Sequence, residues 1–173
     1  DLEWRFLSLD VAPDDPTKAI DGMRALGFDG GCFAPPFPHR AMPMLDEADF
    51  PSPLVRIVAG FVRREDRPVG FHAQSQAVID LLNRQTPLEG RTALVVGHGR
   101  SAHAVAARLA HARVERLLLV DQDRPKDASE FLEHFDESFD DASVLSMPEL
   151  ATTLPNLGKF LTGQASLLTV PGE

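Results

Sequence analysis

Apolar and polar positions divide the chain into two halves of different texture. In the first half, short apolar clusters are broken repeatedly by proline and glycine. WRFLSLDVA, residues 4–12, holds its apolar side chains close enough together to predict a strand. DDPTKAIDGMRALG predicts a punctuated helix, with Asp15 as the cap, Pro16 in the first turn and Gly27 at the stop. Ala19, Ile20, Met23 and Leu26 form its apolar stripe. GGCFA predicts a short strand that runs into a loop carrying Pro35, Pro36, Pro38 and Pro43. Residues 39–48 predict a further helix with Met42 and Leu45 inward. LVRIVAGFV and PVGFHA predict two strands, joined as a hairpin by the polar turn RREDR. SQAVIDLLNR predicts a helix with Ser75 at its cap.

The second half is more regular. RTALVVG is a continuous apolar strand of the kind buried on both faces of a parallel sheet. SAHAVAARLAHA is an alanine-rich helix with Val105 and Leu109 one turn apart, and RLLLVD is a second buried strand. Strand, helix and strand in so short a span make a βαβ unit. PKDASEFLEHF predicts a helix and ASLLTVP a later strand, while residues 136–164 carry no pattern that assigns an element. The fold class is therefore α/β: an α/β lobe over residues 1–73, a connecting helix and loop over 74–89, and a Rossmann-like lobe with a parallel sheet over 90–173.

Composition narrows the function classes. The chain has 173 residues, enough for a hydrophobic core without disulfides or metal, and 43% of them are hydrophobic. A net charge of −9, with no basic stripe, argues against nucleic acid. The single cysteine, Cys32, excludes an intramolecular disulfide and fits a reducing compartment, so a cytoplasmic protein is expected. No apolar run approaches the length of a membrane span, and there is no signal-peptide pattern. The chain starts at Asp1 and stops just after an apolar strand, LLTVPGE, which suggests a processed form or a piece of a longer polypeptide.

The strongest chemical signal is VVGHGRSA, the turn out of the first strand of the βαβ unit. Gly97 and Gly99 stand where a dinucleotide-binding fold needs residues free of a side chain, so that backbone N–H groups at the helix N-terminus approach a pyrophosphate. Ala102 takes the place of the usual third glycine. His98 lies on the turn itself, and Ser101 follows in the first helical turn. Arg100 either clamps phosphate or fills the crevice. Asp121 ends the next strand, 24 residues beyond Gly97. An acidic group there binds ribose hydroxyls and repels a 2′-phosphate, which favours NAD over NADP. No metal site is expected: His103 and His111 are eight apart, Cys32 has no evident partners, and DESFDD lacks calcium-loop spacing.

Several stretches, in order, resemble the shikimate dehydrogenase family: LDVAPDDPTKAIDGMRALGFDG, MPMLDEAD, VGFHAQSQAVIDLL, TALVVGHGRSAHAVAARLA and SLLTVPG. The resemblance implies an N-terminal substrate lobe, here without the family's first strand, and a Rossmann lobe binding NADP, here without the family's C-terminal helix. It implies interconversion of 3-dehydroshikimate and shikimate in the cleft between lobes, with a lysine and an aspartate as the catalytic pair. Carried over residue by residue, the family's NVTxPxK segment falls on CFAPPFP. Its asparagine becomes Cys32, its threonine Ala34, its proline Pro36 and its catalytic lysine Pro38. In GFHAQ the asparagine becomes His72, the threonine Ala73 and the catalytic aspartate Gln74. The asparagine of GAVNT becomes Ala59, and the NRT that grips the NADP phosphate becomes Asp121, Gln122 and Asp123.

Cys32, Ala34, His72 and Gln74 are thus the substrate-pocket candidates, and no catalytic residue is assigned. His39 and Arg40 follow the lost lysine, but arginine is a poor proton shuttle and His39 reads as a surface residue. Two functions remain open. One is a pseudoenzyme, a regulatory or assembly domain that has lost the standard reaction. The other is an active NAD(P)-dependent oxidoreductase of the family acting on 3-dehydroshikimate/shikimate or a related hydroxy acid. Expected partners are a small-molecule ligand in the cleft, and either a second copy or a neighbouring domain of a longer chain; neither nucleic acid nor membrane is expected.

Overall fold

The computed structural model describes residues 3–12, 16–97, 99–121, 125–133, 142–144 and 168–169. Helix α1, Pro16–Ala25, buries Ile20. It stops in a paired motif: Phe28 N–H donates to the Met23 carbonyl at 3.0 Å and Gly27 N–H to the Arg24 carbonyl at 3.0 Å. Gly27 takes φ +74°, the left-handed conformation this ending requires. Asp15, expected as the cap, lies outside the described residues. Leu26 does not join the buried stripe; it is exposed because the helix has already ended there.

Among the described residues, the first sheet has four strands: β1 (Gly30–Cys32), β2 (Glu47–Ala48), β3 (Gly60–Arg64) and β4 (Arg67–Phe71), in the order β1-β3-β4-β2. The hairpin expected between 54 and 73 is present, but its first strand is shorter. Ser52–Val55 form one helical turn, α2, closed by Arg56 at φ 53°. Glu65 and Asp66 both have positive φ, the two-residue turn whose twist matches antiparallel strands.

Two expectations fail here. Residues 39–48 form no α-helix; short 3-10 turns at Phe37–His39 and Met42–Met44 lead into β2. Pro43 removes the N–H that an α-helix over this stretch would donate to the carbonyl of residue 39. Residues 3–12 form no strand either, and Trp4, Phe6, Leu7 and Leu9 are exposed. Their composition suits a strand, but among the described residues no neighbouring strand hydrogen-bonds to them.

Helix α3, Ala73–Gln85, leads to the second sheet. Its strands among the described residues are β5 (Thr92–Val96), β6 (Arg116–Val120), β7 (Ala142–Val144) and β8 (Leu168–Thr169). The order is β7-β6-β5-β8 and every pairing is parallel. Helices α4 (Gly99–His111) and α5 (Pro125–Leu132) connect them. This is the strand order of a mononucleotide-binding half. β7 arises inside the stretch that sequence patterning leaves unassigned, and β8 falls within ASLLTVP as expected.

Leu117, Leu118, Leu119 and Val120 are all 0% exposed, so β6 is covered on both faces. Leu117 and Leu119 belong to the larger apolar cluster, Leu118 and Val120 to a smaller one with Leu94 on the opposite face. The larger cluster runs from Val55 and Ile57 through Ile79 of α3 to Val95, Val105 and Leu109. Four buried alanines, Ala102, Ala104, Ala106 and Ala107, allow α4 to lie close against its neighbours. The protein is an α/β fold with a Rossmann-like parallel sheet. Among the described residues no helix is long and apolar enough to cross a membrane.

Candidate functional site

Gly97 extends the ladder one residue past β5 by donating to the Val120 carbonyl at 3.0 Å. Gly99 then opens α4 at φ +77°, and an added Cβ would meet nothing within 4 Å. Backbone conformation, not crowding, therefore calls for glycine here, and open space lies above the turn. The first amides of α4 are helix-terminal donors, set at the reversal of strand order between β6 and β8 on either side of β5. Ser101 is half-buried in that first turn, and Asp121 follows β6 directly with 2% exposure. His98 lies outside the described residues.

Arg100 does not turn toward the glycine loop. Its guanidinium donates to the Arg56 carbonyl at 2.7 Å and the Val55 carbonyl at 3.5 Å. It thereby satisfies carbonyls left open at the end of α2, in the other lobe. Eight residues further along the same helix, Arg108 makes a second crossing. Its Nε donates to Ser75 Oγ at 3.1 Å and its Nη2 to the Phe50 carbonyl at 2.5 Å. The guanidinium also lies 5.8 Å from the centre of the Phe50 ring. Burial lowers the Arg108 pKa from its ordinary value, and Asp80 and Asp49 act in the opposite direction. Two arginines of α4 thus hold the segment 50–56 at both ends. Sequence patterning gives no sign of this, because long side chains reach across elements.

His72 is buried and caps α3. Its Nδ1 accepts from the Ser75 N–H at 3.3 Å, and Ser75 Oγ donates to the His72 carbonyl at 3.1 Å. The same Nδ1 also lies 3.0 Å from Ser75 Oγ. Ser75, expected as the cap, is instead the third residue of the helix and takes part in the reciprocal arrangement. The other pocket candidates, Cys32, Ala34 and Gln74, are exposed. Cys32 and Ala34 line an apolar groove with residues 5–11 and α1; Gln74 and His72 stand apart from it at the start of α3. The Pro38 carbonyl accepts from the Val58 N–H at 3.1 Å, which ties the proline loop to the approach to β3. His39 is exposed at the end of a 3-10 turn. Among the described residues no three His, Cys, Asp or Glu side chains converge as metal ligands do.

A parallel sheet in this order, with a glycine turn at its switch point and a small mixed sheet beside it, defines the class of two-lobed proteins with a Rossmann-like half. No protein-family model matches the chain. Among curated proteins it is 27% identical over 148 residues to the shikimate dehydrogenase (NADP(+)) of Desulforamulus reducens, covering 84% of this chain and 50% of that one. To the protein of the same name in Symbiobacterium thermophilum it is 34% identical over 126 residues, covering 72% of this chain and 42% of that one. Among solved structures, shikimate 5-dehydrogenase from Listeria monocytogenes, in complex with shikimate and NAD, superposes with a TM-score of 0.74. That likeness is at 16% identity, over 87% of this chain and 53% of the other. The chain belongs to the shikimate dehydrogenase family. It spans about half the length of the curated relatives it matches.

Proposed function

We propose that this chain keeps the family's scaffold and dinucleotide crevice but not the standard interconversion of 3-dehydroshikimate and shikimate, and serves as a regulatory or assembly domain. The resemblance carries this reading: matched without gaps to the family's motifs, Pro38 and Gln74 fall where the family has its catalytic lysine and aspartate, and neither side chain ionises. Hydride transfer at a carbinol carbon needs a group to handle the hydroxyl proton, and removing such a group costs roughly 10²–10⁴-fold. The nearest replacement, His72, is buried with its Nδ1 already engaged in capping α3. Incubation with shikimate and either NAD⁺ or NADP⁺ tests the reading. No reduced cofactor is expected; shikimate-dependent reduction would establish instead the alternative, an active NAD(P)-dependent oxidoreductase of the family.

The residues present suit a dinucleotide. The amides of Gly99 and Ser101 and the open space over the turn would take the pyrophosphate, with Gly97 allowing its approach. A bound nicotinamide supplies hydride chemistry. Asp121 at the end of β6 would accept from ribose hydroxyls and oppose a 2′-phosphate, which favours NAD, although the curated relatives carry NADP(+) in their names. Arg100 contributes no phosphate clamp while it holds Arg56. A single exposed cysteine and no disulfide support a cytoplasmic setting.

A further inference from the structure

Arg100 stands between two sets of acceptors. It is the second residue of α4, next to Gly99, and its backbone lies in the turn whose amides would take a pyrophosphate. Its exposed side chain is engaged elsewhere, donating to the Arg56 carbonyl at 2.7 Å and the Val55 carbonyl at 3.5 Å. Both carbonyls lie at the end of α2, a helix of four residues whose last groups have no helical partner. The turn α2 is itself fixed to the core. Ser52, Val55 and Ile57 are buried, and Val55 and Ile57 belong to the cluster that also holds Val95 and Val105. Of the two partners, the side chain of Arg100 is therefore the one free to move. The acceptors are also unequal. Two neutral carbonyls hold the guanidinium in the structure, whereas a hydrogen bond to an ionised phosphate is roughly twice as strong as one between neutral groups.

We propose that Arg100 is a latch shared by the two lobes: a dinucleotide phosphate at the glycine turn draws its guanidinium off α2. The latch rests on the dinucleotide crevice proposed above and adds what binding does to the rest of the chain. A single nitrogen, Nη1, makes both bonds to α2, so swinging the tip of the side chain toward the turn breaks them together. Once released, the end of α2 is held by its own bonds, Val55 N–H to the Pro51 carbonyl at 3.1 Å and Arg56 N–H to the Ser52 carbonyl at 2.8 Å. Those two amides report the release. The start of the same segment keeps its tie, because Arg108 holds the Phe50 carbonyl from further along α4. The change is thus local to the end of α2, where Pro53 and Arg56 are exposed. It gives a regulatory domain an output: a surface turn whose order depends on whether the crevice is filled.

Amide hydrogen exchange of the 173-residue chain, with and without saturating NADH, tests the latch, and NADH fluorescence reports binding independently. Exchange at Val55 and Arg56 is expected to quicken about two- to ten-fold with NADH bound, the equivalent of one neutral hydrogen bond. Arg100→Met keeps much of the side chain's length without its donors, at an exposed position. In this variant both amides are expected to exchange fast already, with no further rise on adding NADH. The variant is also expected to bind NADH about five-fold more weakly, the difference between a charge-assisted and a neutral bond. NADH that binds while Val55 and Arg56 exchange no faster would overturn the latch and leave the crevice standing. An Arg100→Met variant that binds NADH as tightly as the wild type would overturn it too, by showing that no phosphate draws the guanidinium. No binding of NADH at millimolar concentration would remove the crevice and the latch together.

Discussion

Replacing Arg108 by alanine removes the larger of the two crossings between α4 and the segment 50–56. Three contacts go: the bond to Ser75 Oγ, the bond to the Phe50 carbonyl, and the stacking over the Phe50 ring. The part-buried bond from a charged donor contributes about 1.5 kcal/mol, and the two solvent-facing contacts about 0.5 kcal/mol each. A loss of about 2–3 kcal/mol follows, which for a chain of this size lowers Tm by roughly 5–10 °C. Urea denaturation followed by far-UV circular dichroism reads it directly. Arg108→Lys should recover less than half, because an ammonium cannot hold both acceptors with one planar fork. Truncating Ser75 first should shrink the cost of Arg108→Ala by about 0.5–1 kcal/mol, since the two share a bond. A loss below about 0.5 kcal/mol in Arg108→Ala would show that the crossing contributes nothing and that the apolar cluster alone joins the lobes.

Three further substitutions test local claims. His72→Ala should cost about 1 kcal/mol in urea denaturation by uncapping α3, while His72→Asn, whose side chain can accept from the same amide, should restore most of it. Gly60→Ala should cost about 1–3 kcal/mol and speed hydrogen exchange at Phe33 and Arg63, because the new Cβ would press on the Gly31 carbonyl of β1, with Phe71 Cζ at 2.9 Å and Cys32 Cα at 3.2 Å leaving no retreat. Leu119→Ala, at a position of β6 with no exposure, should cost about 2–5 kcal/mol by thermal or chemical denaturation.

The Rossmann-like half was legible because burial on both faces leaves one message in sequence. Val95 and the run from Leu117 to Val120 are apolar at successive positions, and glycine at 97 and 99 marks where the chain must turn. The first half was harder, since its elements are short and decided by neighbours. Residues 4–12 have strand composition without a strand to pair with, and β2 is two residues of extended chain recruited by β4. At α3, sequence rules favour Ser75 as the cap because serine is a common one; the ring of His72 takes that role one residue before the helix. The pocket candidates were drawn from a family pattern, and the structure sets His72 and Gln74 together at the start of α3 but Cys32 and Ala34 in a separate groove. What Arg100 does was not legible, because its choice between a phosphate and the carbonyls of α2 depends on how closely the second lobe approaches.

A single fluorescence trace separates a retained crevice from a retained reaction. NADH is titrated into the protein until its emission reports binding, and 3-dehydroshikimate is then added in excess. The expected trace rises with bound NADH and stays level after the addition, because neither Pro38 nor Gln74 can deliver a proton to the carbonyl oxygen as hydride arrives. Steady consumption of NADH, in proportion to protein concentration, would contradict the proposal that this member of the family has left its reaction behind.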